Sequence, residues 1–383
     1  MSKKEPQPMI DGSASQCGCR GAHGDETAVC FVIPPYMLNE LARREQTDAR
    51  SAAISAREVS NALHTLDVSA SIRGKREATG PIERMRSEVM TSRAVAPAKK
   101  NREVYDAQHG QDLPGKLVRK EGQKAIKDVA ANEAYSASGF TWDFFHKNYE
   151  RNSIDDRGMK LSSTVHFDRN FDNAFWDGTQ MVYGDGDGVI FERFTRSLDV
   201  IGHELTHGVT QFEAGLVYRN QPGALNEHFS DVFGILVKQW RYKLTVDKSD
   251  WIVGKELFAK GVNGVGIRSM KDPGTAYDDP RLGKDPQPAH MKNIYKGNGD
   301  NGGVHINSGI PNKAFYLAAS EMGGHAWEKA GKIWYTALCD RVKPRTNFAE
   351  CADILIALAG EMYGKDSAEQ KAVRNGWKAV GVI

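Results

Sequence analysis

The chain has 383 residues, 40% of them hydrophobic and 9% aromatic, enough for two or three domains each with its own core. Its 51 basic and 49 acidic residues leave a formal net charge of +2, which argues against nucleic acid or an anionic membrane as a main partner. No run of eighteen apolar residues occurs, which argues against a transmembrane helix.

The first residues, "MSKKEPQPMIDGSASQCGCRG", start basic but have no apolar stretch behind them, so a conventional secretory signal is not expected. Secretion by another route is the expectation, with the cytoplasm as the alternative. Cys17, Cys19, Cys30, Cys339 and Cys351 show no zinc-ribbon spacing, and a disulfide framework is not expected from an odd set in a chain this long. Cys339 and Cys351 stay open between a bridge and two reduced thiols. After "CFVIPPYMLNELARREQ" come short polar helical patterns such as "SAAISAREVSNALHTL". The basic, Ala/Pro-rich "RMRSEVMTSRAVAPAKKNREVYDAQHG" that follows predicts an exposed, cleavable linker, with a boundary near residues 95–110.

From Leu113 to about Thr195 the signals are strand and turn: "SSTVHFD" alternates, and Asp-Gly turns break "AFWDGTQMVYGDGDGVIFERF", where "YGDGDG" reads as a hairpin turn. From Asp199 the pattern turns helical. Ile201, Leu205, Val209 and Phe212 share a face, and Gly215 is a stop signal. A further helix is predicted from about Ala224 to Trp240, and the chain beyond Pro311 is mainly helical. The expected architecture is α+β: a β-rich lobe, then a helical lobe, with the helix from Asp199 at their junction. The expected regions are 1–104, an N-terminal extension, then 105–214 and 215–383.

That helix carries "DVIGHELTHGVTQ". Positions four apart lie on one helix face, so His203 and His207 can direct ring nitrogens at one ion. Glu204 lies beside that face and can reach a water on the ion without ligating it. A catalytic zinc needs a third protein ligand and an open position. Downstream, "GALNEHFSDVFG" offers Glu227 as that ligand, with Asp231 and Asn226 placed to hold the outer ring nitrogens of the histidines.

From Leu113 to the C-terminus, these stretches together with "NAFWDGTQMVYGDGDG", "IRSMKDP" and "DNGGVHINSGIPNKAFYLA" resemble the thermolysin-like zinc peptidases. The resemblance implies a two-lobed thermolysin-like fold with one catalytic zinc on His203, His207 and Glu227. It implies that Glu204 takes a proton from the zinc-activated water and delivers it to the leaving amine. His305, oriented by Asp300, and Tyr218 would stabilise the tetrahedral intermediate. Asn173 and Ala174 would bind an extended peptide by strand addition, and Arg268 would contact a substrate carbonyl. Phe191, Phe194, Val200 and Ile267 would line the pocket for the residue just after the scissile bond, favouring bulky hydrophobic side chains, with Phe194 narrowing it toward Leu or Phe.

Two departures from the family bear on cofactor and control. Secreted members hold a calcium pair beside the third-ligand helix. Here Lys238 stands where a bridging carboxylate is expected, and Lys248, Ile252 and Lys255 replace other ligands, leaving Asp199 and Asp250. Two carboxylates among three ammonium groups are no tight calcium site, so that pair is expected to be absent. The segment "FVIPPYML" resembles the short pro-segment of the protealysin-like branch, which implies a precursor whose residues Val32 to Tyr36 lie in or near the cleft. That segment is either inhibitory, the favoured reading, or a docking strand only. Cys30 beside it poses two alternatives: a thiolate reaching the zinc, or a buried thiol, the commoner state.

The activity expected is hydrolysis of protein or peptide substrates by a zinc endopeptidase, monomeric and made as a precursor with its pro-segment acting in cis. A catalytically silent zinc-binding interaction module is the alternative. The presence of Glu204, Tyr218 and His305 favours catalysis.

Overall fold

The computed structural model describes residues 29–43, 55–90 (side chains as far as Gly74) and 98–383. The β-rich lobe is a six-stranded mixed sheet in the order β1-β5-β6-β4-β2-β3. Its strands are Cys30–Phe31 (β1), Arg102–Asp106 (β2), Lys116–Lys120 (β3), Leu161–Val165 (β4), Ala174–Trp176 (β5) and Met181–Tyr183 (β6). The edge strand β1 comes from the N-terminal segment and pairs antiparallel with β5, Cys30 opposite Trp176 and Phe31 opposite Phe175. Between β1 and β2 run two helices, α1 (Pro35–Arg43) and α2 (Ala56–Met90). Val32, Ile33, Met37, Leu38 and Leu41 are wholly buried in the main core, so the segment is docked as firmly as the sheet it joins.

Three local expectations need correction. The stretch from Leu113 to Thr195 is not all strand and turn, because a 21-residue helix, α3 (Val129–Tyr149), runs through it. Asp128 caps it, accepting from the Ala131 N–H, and its alanines bury one face against the sheet. Its aromatic second half hid that pattern. The stretch "YGDGDG" does not join two paired strands. The β5–β6 hairpin turns instead at Asp177, whose side chain accepts from the Thr179 and Gln180 N–H groups. In "YGDGDG", Asp187 caps the backbone N–H groups of Val189, Ile190 and Phe191. The polar patterns after Ser55 form one 35-residue helix that enters the basic stretch predicted as linker. Its arginines, glutamates and methionines are good helix formers. Residues 91–97 of that stretch, and Cys17 and Cys19, lie outside the described residues.

The motif helix α4 (Leu198–Phe212) crosses α5 (Asn220–Tyr242), which begins four residues earlier than expected. Ile201, Leu205 and Val209 are buried as predicted, and α4 stops just before Gly215, whose φ is 56°. The crossing is tight because both helices carry glycine there. A Cβ on Gly202 would stand 3.1 Å from the Gly234 Cα, and one on Gly234 only 2.4 Å from the Asp199 carbonyl oxygen. Larger residues would push apart the two helices that carry the histidines and Glu227.

Beyond α5 lie two small antiparallel pairs, Ile252–Val253 (β7) with Arg268–Ser269 (β8), and Asp278–Asp279 (β9) with Gly283–Lys284 (β10). The expected helical lobe follows as α6 (Gly299–Asn307), α7 (Gly309–Met322), α8 (Ala330–Thr336), α9 (Phe348–Tyr363) and α10 (Ala368–Ala379). Cys339 and Cys351 are separate reduced thiols. No helix among the described residues is long and apolar enough to cross a membrane.

Candidate active site

One turn apart on α4, the Nε2 atoms of His203 and His207 stand 3.0 Å from each other. Glu227 on α5 completes a triangle: its Oε2 is 3.5 Å from His203 Nε2 and its Oε1 is 3.4 Å from His207 Nε2. Ligands held about 2 Å from a tetrahedral ion are separated by roughly 3.3 Å, so the two ring nitrogens and the Glu227 carboxylate already have the spacing a zinc ion needs. The Glu227 Oε2 is buried and accepts no hydrogen bond, an expensive state for a carboxylate oxygen unless a cation meets it. Burial alone would strip the histidines of charge, and it holds His207 down to about 3. Asp231 and Glu227 overcome it at His203, pushing that ring up to about 9. The pocket therefore favours positive charge at its centre. Two imidazoles and a carboxylate suit zinc.

The residues behind the triangle hold it in register. Asp231 Oδ1 lies 2.8 Å from His203 Nδ1, and Asn226 Oδ1 lies 2.8 Å from His207 Nδ1. With Nδ1 of each ring beside an outer acceptor, both rings turn Nε2 toward the centre, where neutral imidazoles would offer lone pairs to an ion. Ser230 adds a second contact to His207 at 3.0 Å. Asp231 is gripped in turn by Arg268 through Nε and Nη2, at 2.9 and 2.7 Å, and by Asn312 at 2.8 Å. Ser230 and Asn312 were not read from the sequence. A serine or an asparagine on a helix carries no signal until the fold supplies its partner.

Glu204 is wholly buried, and burial holds its carboxyl well above the usual carboxylate range. Its Oε2 accepts the Trp176 N–H at 3.0 Å, tying it to strand β5.

Facing the triangle, His305 is held by Asp300, whose Oδ1 lies 2.6 Å from Nδ1 and whose Oδ2 accepts the His305 N–H at 2.8 Å. The turn that allows this is left-handed over four residues, with φ of 53°, 51°, 81° and 81° at Asp300, Asn301, Gly302 and Gly303. Asp and Asn tolerate that region. The glycines are also sterically required, since a Cβ on Gly302 would approach Asn220 Oδ1 to 2.1 Å. His305 Nε2 lies 3.2 Å from the Tyr218 hydroxyl, which donates to Glu227 in a short hydrogen bond. Burial opposes charge on His305, yet Glu227 and Asp300 hold its pKa above the ordinary value.

Residues 31–33, the end of β1 and the two that follow, lie across these groups. The Val32 N–H donates to the Ala174 carbonyl at 3.1 Å. Asn173 accepts the Ile33 N–H at 2.9 Å and donates to the Ile33 carbonyl at 3.1 Å. The Phe31 carbonyl lies 3.1 Å from His305 Nε2, and the Val32 carbonyl 3.4 Å from Arg268 Nη1. Asn173, Ala174 and Arg268 thus meet the chain's own backbone, one residue nearer the N-terminus than the expected Val32 to Tyr36. Arg268 also donates twice to Asp231, a partner that the sequence does not reveal. Phe191, Phe194, Val200 and Ile267 are wholly buried in the core cluster that also contains Val32 and Ile33.

At the back of α4, the Lys238 ammonium lies 2.9 Å from Asp199 and 3.5 Å from Asp250, and donates to the Ile252 carbonyl. Lys255 meets Asp250 at 3.1 Å.

A buried two-histidine, one-glutamate triangle with a carboxylate beside it and an extended chain across it defines a metallopeptidase. Residues 80–211 match the family model of the thermolysin metallopeptidase catalytic domain, and 214–382 match that of its α-helical domain. The chain belongs to the thermolysin metallopeptidase family. It is 48% identical over 356 residues to the extracellular metalloprotease of Pectobacterium carotovorum subsp. carotovorum, covering 92% of this chain and 96% of that one. Against protease PrtS of Photorhabdus sp. (strain Az29) it is 47% identical over 357 residues, 92% and 91% of the two chains. The fold matches the precursor of protealysin, a metalloproteinase from Serratia proteamaculans, with a TM-score of 0.81 at 48% identity, over 92% of this chain and all of that one. The resemblance to the short pro-segment branch therefore holds.

Proposed function

We propose that this chain is the precursor of a zinc-dependent neutral endopeptidase, with His203, His207 and Glu227 as the zinc ligands. The observation that carries the reading is the triangle of ligand atoms with Glu204 beside it and the oxygen of Glu227 left without a hydrogen bond. Zinc bound there would polarise the scissile carbonyl and acidify a water. Glu204 takes the proton from the attacking water and passes it to the leaving nitrogen, so its raised pKa suits a group that must hold a proton between the two steps. His305 and Tyr218 donate to the oxygen that gains charge, with Asp300 keeping His305 oriented. Residues 31–33 occupy the same backbone partners that a substrate strand would use, which supports latency through the N-terminal segment. The burial of Val32 in the same apolar core as Phe191, Phe194, Val200 and Ile267 supports a preference for bulky apolar residues just after the cut, Leu and Phe foremost.

The division into a pro-segment region at 1–104 and catalytic lobes at 105–214 and 215–383 is part of the same proposal, as are a monomeric state and action outside the cell. Cleavage-site mapping on an unstructured protein, using processed enzyme from culture medium and from lysate, tests it. The expected result is internal cuts before Leu, Phe, Ile and Val by medium enzyme, abolished by a zinc chelator and restored by zinc. Cuts before charged residues, or removal of terminal residues only, contradict it.

We also propose that an ammonium group replaces the family's calcium pair beside Asp199. Lys238 is nearly buried against a wholly buried Asp199, whose charge would otherwise stand unpaired. Excess EGTA is expected to leave the melting temperature unchanged, whereas Lys238→Ala removes one partner of a buried pair and destabilises by about 3–5 kcal/mol. A melting point that falls with EGTA and recovers with calcium overturns the idea.

A further inference from the structure

Strand β1 offers more than backbone. Successive side chains of a strand point to opposite faces. Phe31 enters an aromatic cluster with Phe167, Phe171 and Phe175, whereas Cys30, beside it, packs with Tyr218 and Val304 on the other side. The Cys30 sulfur, a ring nitrogen of His207 and a carboxylate oxygen of Glu227 all lie within 4.8 Å of one another, and all three residues are buried. Cys30 thus adjoins two of the three ligand residues. It shares its niche with Tyr218, which itself hydrogen-bonds Glu227.

From this geometry we infer that in the uncleaved chain Cys30 binds the catalytic zinc as a thiolate and closes its fourth position. The inference rests on the zinc-site reading above. Three observations carry it. Register pins the cysteine: Cys30 is fixed opposite Trp176, and beyond the strand the Val32 N–H bonds the Ala174 carbonyl and the Ile33 N–H the Asn173 side chain, so slippage would break all of these hydrogen bonds. Donor chemistry also suits the ion, because thiolate is a preferred zinc ligand at about 2.3 Å and two nitrogens, an oxygen and a sulfur complete a closed tetrahedral set. Finally, the Glu227 oxygen that accepts no hydrogen bond marks a cation position within the ligand set that Cys30 adjoins.

The consequence is a second lock, distinct from the strand lying in the cleft. A closed metal site has no room for the water that Glu204 must activate. On binding, the thiol releases its proton and a water leaves. When the segment departs, the thiol takes a proton back and a water returns. Thiol modification should then weaken latency without any peptide bond being cut.

Full-length chain carrying Glu204→Ala, so that it stays whole, is loaded with cobalt(II) in place of zinc and examined by absorption spectroscopy. One cobalt per chain is expected, with tetrahedral visible bands and a near-ultraviolet sulfur-to-metal charge-transfer band. Adding Cys30→Ser should remove the charge-transfer band and keep the visible ones. X-ray absorption of the zinc-loaded Glu204→Ala chain needs no cysteine variant, and should show one sulfur at about 2.3 Å. Visible bands without charge transfer, no sulfur at the zinc, or a band that survives Cys30→Ser all overturn the inference while leaving the zinc site intact. Failure to bind any metal overturns the zinc reading itself, and the inference with it.

Discussion

Asp231→Ala is expected to destabilise the protein by about 3–5 kcal/mol, the cost of breaking a buried ion pair by removing one partner. Asp231 is wholly buried, and it is the counter-ion of an equally buried Arg268, the acceptor facing His203 Nδ1 and the acceptor for Asn312. Removing it leaves a guanidinium with no anion and frees the His203 ring to turn. A loss of that size is a large share of the 5–15 kcal/mol that holds a typical domain. Zinc affinity should fall about 10–100-fold in the same variant, as it does when the outer partner of a ligating histidine is lost. Denaturant midpoints of the Glu204→Ala chain with and without Asp231→Ala read the first effect, and competition with a zinc-binding dye reads the second. A stability change under about 1 kcal/mol would show that Arg268 finds another anion, the smaller cost typical of an average substitution.

Glu204→Ala should lower kcat by about 10²–10⁴-fold with one zinc per chain retained, since the residue stands beside the ligand face and not on it. Its Oε1 has no hydrogen-bond partner and its Oε2 holds the Trp176 N–H, so the carboxylate is anchored to the peptide-binding strand as well as to the ligand helix. Loss of metal together with activity would mean that Glu204 is needed to build the site, and would move the proton-transfer role elsewhere. Peptide hydrolysis by purified, metal-quantified variant separates the two.

Much of the site is legible in the sequence because its rules are local. His203 and His207 are one helical turn apart, and Asp231 is one turn beyond Glu227, so spacing alone puts each pair on a shared face. The tight left-handed turn before His305 is likewise written in its two glycines. Partners that meet only in three dimensions are not legible. Asn312 and Ser230 sit within stretches whose motifs are visible, yet nothing local shows which partner each meets, and Arg268 is committed to Asp231 through a separation of 37 residues. Helix α3 escaped for another reason. Its aromatic half, "FTWDFFHKNY", resembles strand material, and tertiary packing on the sheet decides for helix. The N-terminal segment shows the same limit: "FVIPP" is visible, but that Cys30 and Phe31 form an edge strand depends on the open side of β5.

The most direct test of the account is an intact-mass time course of full-length protein beside Glu204→Ala at equal concentration. The unaltered chain is expected to lose roughly its first hundred residues, in keeping with the expected boundary near residues 95–110, while the variant stays whole. If both chains stay whole while processed enzyme still cuts peptides, the N-terminal segment is not removed by its own site. If both are clipped alike, an outside protease makes the cut, and the claim that this zinc site releases its own pro-segment is contradicted.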